Sequence, residues 1–378
     1  MSERDADRLV PPDEALDFIL RQIQPLAVEQ VGLADAAGRI LASPLIADRD
    51  LPPFPASTMD GFAVVAGDES TWREVIGEQF AGTMEDIEVT FGTAAKITTG
   101  APLPKGADAV VPVEQTEPAE DHVIIQRDDV RPGENVRPVG SDLRNGDILL
   151  QPGIEIGAAE VGLLASLGHS LIGVYRRPRV SILSTGDELV EPDQEPGPGQ
   201  IRDSNRFSLA VAAQRLGAEV VWLGHGADDR EALGALLKER LAESDLLITS
   251  GGVSVGERDY VTSLLADLSD VHLRRVFMKP GKPLHFATAG PVAIFGLPGN
   301  PVSSIVGFEI FVAAAIRAMA GRADARPMLV PVTLEHDILP GDRIELQRGI
   351  VRAAADGRLT ARNTGSQASA RIASLIGA

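Results

Sequence analysis

The chain has 378 residues, with 35 Lys+Arg against 54 Asp+Glu and a formal net charge of −19. That balance argues against a general nucleic-acid or anionic-membrane binder, which needs a basic face, so any anionic ligand must be met by a local cationic pocket. Cysteine is absent, which excludes disulfides, thiolate zinc sites, iron–sulfur ligation and cysteine nucleophiles. Apolar residues make up 44%, ample for packed cores, and the length suits roughly two to four domains.

The N-terminus, Met1 to Arg8, is mostly charged and has no apolar core of the kind a signal peptide carries. Pro11-Pro12-Asp13-Glu14 followed by Ala15, Leu16, Phe18, Ile19 and Ile23 predicts a helix that Pro25 closes. A second apolar periodic run extends from Val31 to Leu41. From about Ile46, short β-branched runs alternate with Gly and Pro clusters, which predicts a small β-rich domain up to Val139. A helical run, Ala158 to Leu167, is expected to return to the first helices, so the β-rich domain is inserted into a helical one.

From Arg179 the pattern becomes strand, loop and helix, repeated. Strands are predicted over 180–183, 219–223, 245–249, 271–277 and 292–295, with helices over 204–216, 228–241 and 260–268 between them and a last one from Pro301. Asp228 is the expected N-cap of its helix. Near-continuous apolar strands alternating with helices indicate a parallel sheet covered on both faces. Pro301 to Ala320 is apolar enough to resemble a membrane span, but Glu309 and Arg317 interrupt it, so it reads as a buried helix. After Ala325 the chain turns β again.

In a parallel α/β sheet, ligands bind beyond the carboxyl ends of the strands. The loops there are Ser184-Thr185-Gly186-Asp187-Glu188, Gly224 to Asp229, Ser250-Gly251-Gly252-Val253-Ser254 with Glu257 and Asp259 beyond, Lys279-Pro280-Gly281-Lys282, and Pro298-Gly299-Asn300-Pro301-Val302-Ser303. Glycines let backbone N–H groups approach a phosphate closely. The alternative for the Ser250 loop is a plain strand-to-helix turn. Lys279 and Lys282 flank a stiff Pro-Gly turn and suit a polyoxyanion. Asn300-Pro301 has the form of a helix start, an N-cap followed by Pro at the first helical position. Asp187, Glu188 and Asp259, and less so Asp228, are candidates for proton transfer or for Mg²⁺, which takes a few carboxylates plus substrate oxygens; capping is the alternative. The six histidines show no HxxxH or HxH spacing, and there is no GxSxG elbow or Walker A loop.

The β-rich region carries Ser57-Thr-Met-Asp60-Gly-Phe-Ala, Thr99-Gly-Ala-Pro-Leu-Pro and Gly106-Ala-Asp-Ala-Val-Val, which by themselves read as tight turns. Together with Ser184-Thr-Gly-Asp-Glu-Leu, Gly199-Gln-Ile-Arg-Asp-Ser-Asn205, Ser250-Gly-Gly-Val-Ser-Val-Gly-Glu-Arg-Asp259, Lys279-Pro-Gly-Lys-Pro and Leu297-Pro-Gly-Asn-Pro-Val-Ser303, they occur in one order over nearly the whole chain. This series resembles the molybdopterin molybdenumtransferase (MoeA) family and is similar to the E domain of gephyrin. Pro55 and Phe62 depart from the family's usual acid and Tyr.

The resemblance implies a multidomain α/β and β architecture: residues 1–45 plus 140–176 as a helical linker domain, 46–139 as the inserted β-rich domain, 177–325 as the molybdopterin-binding α/β domain with a parallel sheet, and 326–378 as a small C-terminal β-barrel. The chain ends at Ala378, earlier than such relatives, so that barrel is expected to be incomplete. The implied activity is insertion of molybdate into adenylylated molybdopterin, with Mg²⁺-dependent release of AMP. The implied catalytic residues are Asp259, Glu188, Asp60, Asp142 and Thr99, with metal on Asp187, Glu188 and Asp259. Substrate binding would fall to Ser184, Thr185, Gly186, Asp228, Ser250, Gly251, Gly252 and Ser254, and to Arg137 in the β-rich region. Lys279, Lys282, Pro298, Pro301 and Ser303 would surround molybdate, joined by Arg348 and Ser369. The resemblance further implies a cytoplasmic homodimer whose site is shared between subunits, with contacts to the adenylyltransferase that makes the substrate and to recipient molybdoenzymes, and without nucleic acid or membrane. An interaction scaffold on the same fold and a different nucleotide-dependent transferase are the alternatives; the intact Lys279, Lys282 and Asp259 set favours catalysis.

Overall fold

A computed structural model describes residues 6–226, 229–251, 260–339 and 341–378. The chain divides into two compact units: residues 44–151 with 166–168 form one, and the flanking segments 1–43, 152–165 and 169–378 form the other.

The larger unit is built on a six-stranded sheet. Its strands lie in the order Glu219–His225, Arg179–Ser184, Leu246–Ser250, Val292–Leu297, Pro283–Ala289, Asp270–Arg275. The first four run parallel. The strand Pro283–Ala289 is antiparallel to both its neighbours, so the sheet is mixed rather than all parallel as expected. A tight turn at Gly290-Pro291 joins it directly to Val292–Leu297, and only antiparallel neighbours can be linked by so short a connection. Its sequence, PLHFATA, buries alternate residues at its start, a two-residue period missed beside the Lys279 loop.

Each face of the sheet is covered. On one face Leu16 and Ile19 of the helix Pro12–Gln22 pack with Leu209 and Ala213 of the helix Asn205–Arg215 and with Phe308, Phe311 and Ile316. On the other, Leu233 and Leu237 of the helix Arg230–Glu243 pack with Val261 and Leu265 of the helix Tyr260–Leu268. Pro12 occupies the first turn of its helix, with Asp13 and Glu14 beside the unpaired N–H groups. The helical stretch Pro301–Met319 is long and apolar enough to cross a membrane by composition, yet Phe308, Phe311, Val312 and Ala313–Ile316 are fully buried in this core.

Two local expectations change. The run from Val31 is not one helix: Val28–Gly32 is a strand antiparallel to Leu171–Tyr175, and only Leu33–Ala36 makes a helical turn. β-branched Val28 and Val31 favour extended backbone, and a partner strand supplies the hydrogen bonds. The helix expected to begin at Asp228 begins at Arg230, and its N-cap is Asp229, whose carboxylate accepts the Ala232 N–H at 2.8 Å. Beyond Ala325, the described strands Thr333–Leu334, Leu359–Asn363 and Gly349–Ala353 form a three-stranded sheet rather than a closed barrel. Ile344–Glu345 pairs separately with Met278–Lys279.

The smaller unit holds a second six-stranded sheet, ordered Ala109–Pro112, Gly61–Val64, Thr93–Ile97, Trp72–Gln79, His122–Ile125, Thr116–Pro118. Phe62, Val111 and Val123 pack on one face; Ala63, Ile97 and Val110 pack on the other. Strict alternation along the strand Gly61–Val64 therefore serves two small cores.

Candidate functional site

Strand register builds the candidate site in the larger unit. Ser184 lies opposite His225 on one side and Ser250 on the other, and Ser250 lies opposite Leu297. The loops beyond Ser184, Ser250 and Leu297 thus leave the sheet side by side. The switch in strand order falls between Arg179–Ser184 and Leu246–Ser250, the position where open α/β sheets form a crevice.

These loops are interlocked by polar groups. Asn205, the first residue of its helix, donates from Nδ2 to Ser250 Oγ at 2.9 Å and to the Gly299 carbonyl at 2.8 Å. It therefore ties two strand ends to a third element. Ser184 Oγ donates to the buried Asp203 carboxylate, which also pairs with Arg206. The Thr185 N–H donates to the Ser250 carbonyl at 3.1 Å. Among the described residues, the buried Thr185 Oγ1 and Asn205 Oδ1 have no hydrogen-bond partner. Asp203 and Asn205 carry the crossing, and sequence reasoning gave them no role although both sit in the Gly199–Asn205 motif; their side-chain chemistry points inward only once the helix is placed.

Gly251 has a specific reason to be glycine. Its φ is +88°, and a Cβ there would stand 2.5 Å from the Thr185 carbonyl oxygen. Asp187 and Glu188 are exposed beside Gly186, and the Glu188 carboxylate folds back over that glycine. Among the described residues no three His, Asp or Glu side chains converge closely enough to hold a metal by themselves. Two exposed carboxylates beside a phosphate-type loop nevertheless suit Mg²⁺, which keeps water and substrate oxygens as most of its ligands. Asp228, Gly252, Ser254 and Asp259 lie outside the described residues.

The lysine loop approaches from the next strand. A Cβ on Gly281, at φ +94°, would lie 3.6 Å from the Ser303 carbonyl, so the loop rests against the start of the Pro301 helix. Lys279 is not a free cation: its Nζ is 3.1 Å from Glu345, whose carboxyl is held below its usual range chiefly by that hydrogen bond. Lys282 is half-buried and forms no ion pair among the described residues. Pro298, Ser303 and Ser304 are buried. Asn300 is the N-cap by backbone position, but its side chain makes no capping bond. The Val302 N–H instead donates to the Ser369 backbone carbonyl at 3.1 Å, which brings Ser369 to this helix start.

Arg348 does not project freely toward the loops. Its guanidinium donates to Ser374 Oγ at 3.1 Å and to the Ala368 carbonyl at 3.2 Å, and burial lowers its pKa while Glu345 opposes the shift. It clamps the terminal segment that carries Ser369.

In the smaller unit the candidates form two pairs. Asp60 Oδ1 accepts the Thr99 N–H at 2.7 Å and the Thr99 hydroxyl at 2.9 Å, and these bonds hold its carboxyl below the ordinary range. Arg137 is in an ion pair with Asp142. The two pairs share a scaffold, because Ala56–Ser57 pairs with Val136–Arg137 while Ser57 also exchanges backbone bonds with Gly100 and Ala101.

The sequence matches two families, one described as MoeA N-terminal region (domain I and II) over residues 10–168, the other as probable molybdopterin binding domain over residues 181–318. A molybdopterin molybdenumtransferase of Haemophilus influenzae is 35% identical, over 94% of this chain and 90% of its own. The chain belongs to the molybdopterin molybdenumtransferase (MoeA) family. A second such relative, from Nostoc, is 42% identical over 83% of this chain and 74% of its own. Gephyrin of Dictyostelium discoideum is 33% identical, over 97% of this chain but 58% of its own length. The crystal structure of a molybdopterin biosynthesis MoeA protein from Pyrococcus horikoshii superposes with a TM-score of 0.82 at 29% identity, covering 98% of this chain and 94% of that one. The family's activity is that of a transferase in molybdenum cofactor biosynthesis, and the fold is MoeA-like with mixed α/β sheets.

Proposed function

We propose that this chain inserts molybdate into the dithiolene of adenylylated molybdopterin, with Mg²⁺-dependent cleavage that releases AMP. The observation that carries the reading is the alignment of Ser184, Ser250 and the Leu297–Ser303 loop on one sheet edge, with Lys282, which forms no ion pair among the described residues, beside them. Both substrates are oxyanions, which suits glycine-rich loops and an ammonium group in an otherwise anionic protein.

In this reading Ser184, Thr185, Gly186, Ser250 and Gly251 bind the phosphates, with Gly252, Ser254 and Asp228 as further contributors. Thr185 Oγ1 and Asn205 Oδ1, without a hydrogen-bond partner among the described residues, would hydrogen-bond to a bound group. Lys282 binds molybdate near Pro298, Pro301 and Ser303. Lys279 contributes once it leaves Glu345, and Arg348 acts by holding Ser369 against the helix start. Asp259 would orient or deprotonate the water that attacks the phosphoanhydride; the bridging P–O bond breaks, AMP leaves and the molybdopterin keeps its own phosphate. Mg²⁺ on Asp187, Glu188 and Asp259 would neutralise the phosphoanhydride charge. The dithiolene sulfurs belong to the substrate, so a cysteine-free chain is no obstacle. In a cytoplasmic homodimer the pairs Asp60–Thr99 and Arg137–Asp142 of one subunit would face the α/β site of the other, and the dimer exchanges substrate and product with an adenylyltransferase and with recipient molybdoenzymes.

The test is to mix purified protein with adenylylated molybdopterin, Mg²⁺ and molybdate and to follow AMP and cofactor. AMP release with cofactor formation is expected. Lys282→Ala should raise the molybdate concentration for half-maximal turnover about tenfold, the loss of one charge-assisted contact. A wild-type protein that releases no AMP refutes the reading.

A further inference from the structure

A second cationic concavity lies at the opposite edge of the same sheet. It has a volume of about 250 Å³, and Arg39, Arg176, Arg177, Arg215, Arg317 and Arg322 all line it. These six come from four separate stretches of chain in a protein of net charge −19. Arg177 precedes the strand Arg179–Ser184, so the cavity sits at the amino ends of the strands. Six residues at about 3.3 Å each put it roughly 20 Å from the Ser184 edge.

Three of the arginines are committed to structure. Arg176 grips Asp245 through two bonds of 2.6 Å. Arg39 bonds Glu29 and the Tyr175 carbonyl. Arg322 bonds Asp324 at 2.9 Å and Glu155 at 2.6 Å. Arg177, Arg215 and Arg317 form no ion pair among the described residues. Among the described residues the Arg177 side chain donates to the Gly217 carbonyl alone, at 3.5 Å. Helix dipoles account for single cations at the last turns of the two helices that carry Arg215 and Arg317. They do not account for Arg177, which is on neither helix, nor for the convergence of all three on one cavity.

We propose that this cavity binds a compact multivalent phosphate-class anion, such as a di- or triphosphate group, separately from the candidate active site. One carboxylate saturates a single guanidinium fork, whereas the several oxygens of a phosphate chain can accept from three. The volume holds roughly eight waters at about 30 Å³ each, enough for such a group. The paired arginines fix the rim, and Glu155 is already neutralised by Arg322. The site needs no reading of the catalytic reaction, and it would let a phosphorylated metabolite bind without competing at the Ser184 edge.

Inorganic pyrophosphate is the probe, with the thermal midpoint of the full chain as readout and potassium chloride at matched ionic strength as control. A saturable rise in midpoint is expected, retained in Lys282→Ala, which weakens the other anion site. Arg215→Gln combined with Arg317→Gln should raise the apparent Kd about tenfold, and exposed Arg177→Gln alone should weaken binding in the same direction. A rise that chloride reproduces, that vanishes in Lys282→Ala, or that survives all three arginine changes overturns the proposal.

Discussion

His285 shows how one residue registers the packing around it. Burial, reinforced by the charge of Arg274 and opposed by Asp7, pulls its pKa from 6.5 down to about 4. The folded protein therefore holds a neutral imidazole while the unfolded chain takes up a proton below 6.5. Unfolding is then favoured as pH falls from 6.5 to 4, with a contribution of no more than about 3 kcal/mol. His285→Gln should flatten the slope of urea stability across that window; an unchanged slope counts against this account. Sequence alone gave His285 no distinction among the six histidines, because its shift comes from neighbours on other elements. Lys279 and Lys282 make the same point, since they are alike in the sequence and only tertiary pairing gives one of them Glu345.

Elements settle where the chemistry stands. The candidate edge exists because Ser184, Ser250 and Leu297 end their strands in register, and the serine-glycine loops could be read in advance because parallel strands place such loops at one edge. What could not be read was how closely the loops approach one another. Gly251 marks that approach: Gly251→Ala would force a Cβ against the Thr185 carbonyl at a φ that L-residues avoid. We expect it to lower stability by more than about 1 kcal/mol and to abolish AMP release while leaving far-ultraviolet dichroism unchanged. Wild-type turnover in that variant would remove the loop from the site. The antiparallel strand Pro283–Ala289 was hidden for a related reason, as its signal is short and lies against the lysine turn.

At the scale of the molecule, two units carry separate cores. In the smaller one Arg73 is almost wholly buried, donating to the carbonyls of Ser70, Val65 and Asp68 and pairing with the Asp68 carboxylate at 3.6 Å. Arg73→Leu removes the counter-charge of the buried Asp68 carboxylate, which keeps the Ser70 and Gly92 N–H bonds, and takes a donor from three carbonyls, which should cost about 3–5 kcal/mol. Calorimetry should show a low-temperature transition detach from the melting of the α/β unit; a single transition shifted as a whole would mean the two cores unfold together. The amino-acid order by itself determined the α/β repeat, the glycine-rich loops, the buried Pro301 helix and the family, because apolar periodicity and turn chemistry are local properties of the chain. The tertiary structure decided the antiparallel strand, the engagement of Lys279 and Arg348, the role of Asn205 and the arginine-lined cavity. Each of these depends on groups distant in sequence meeting within a few ångströms, and no local pattern encodes such a meeting.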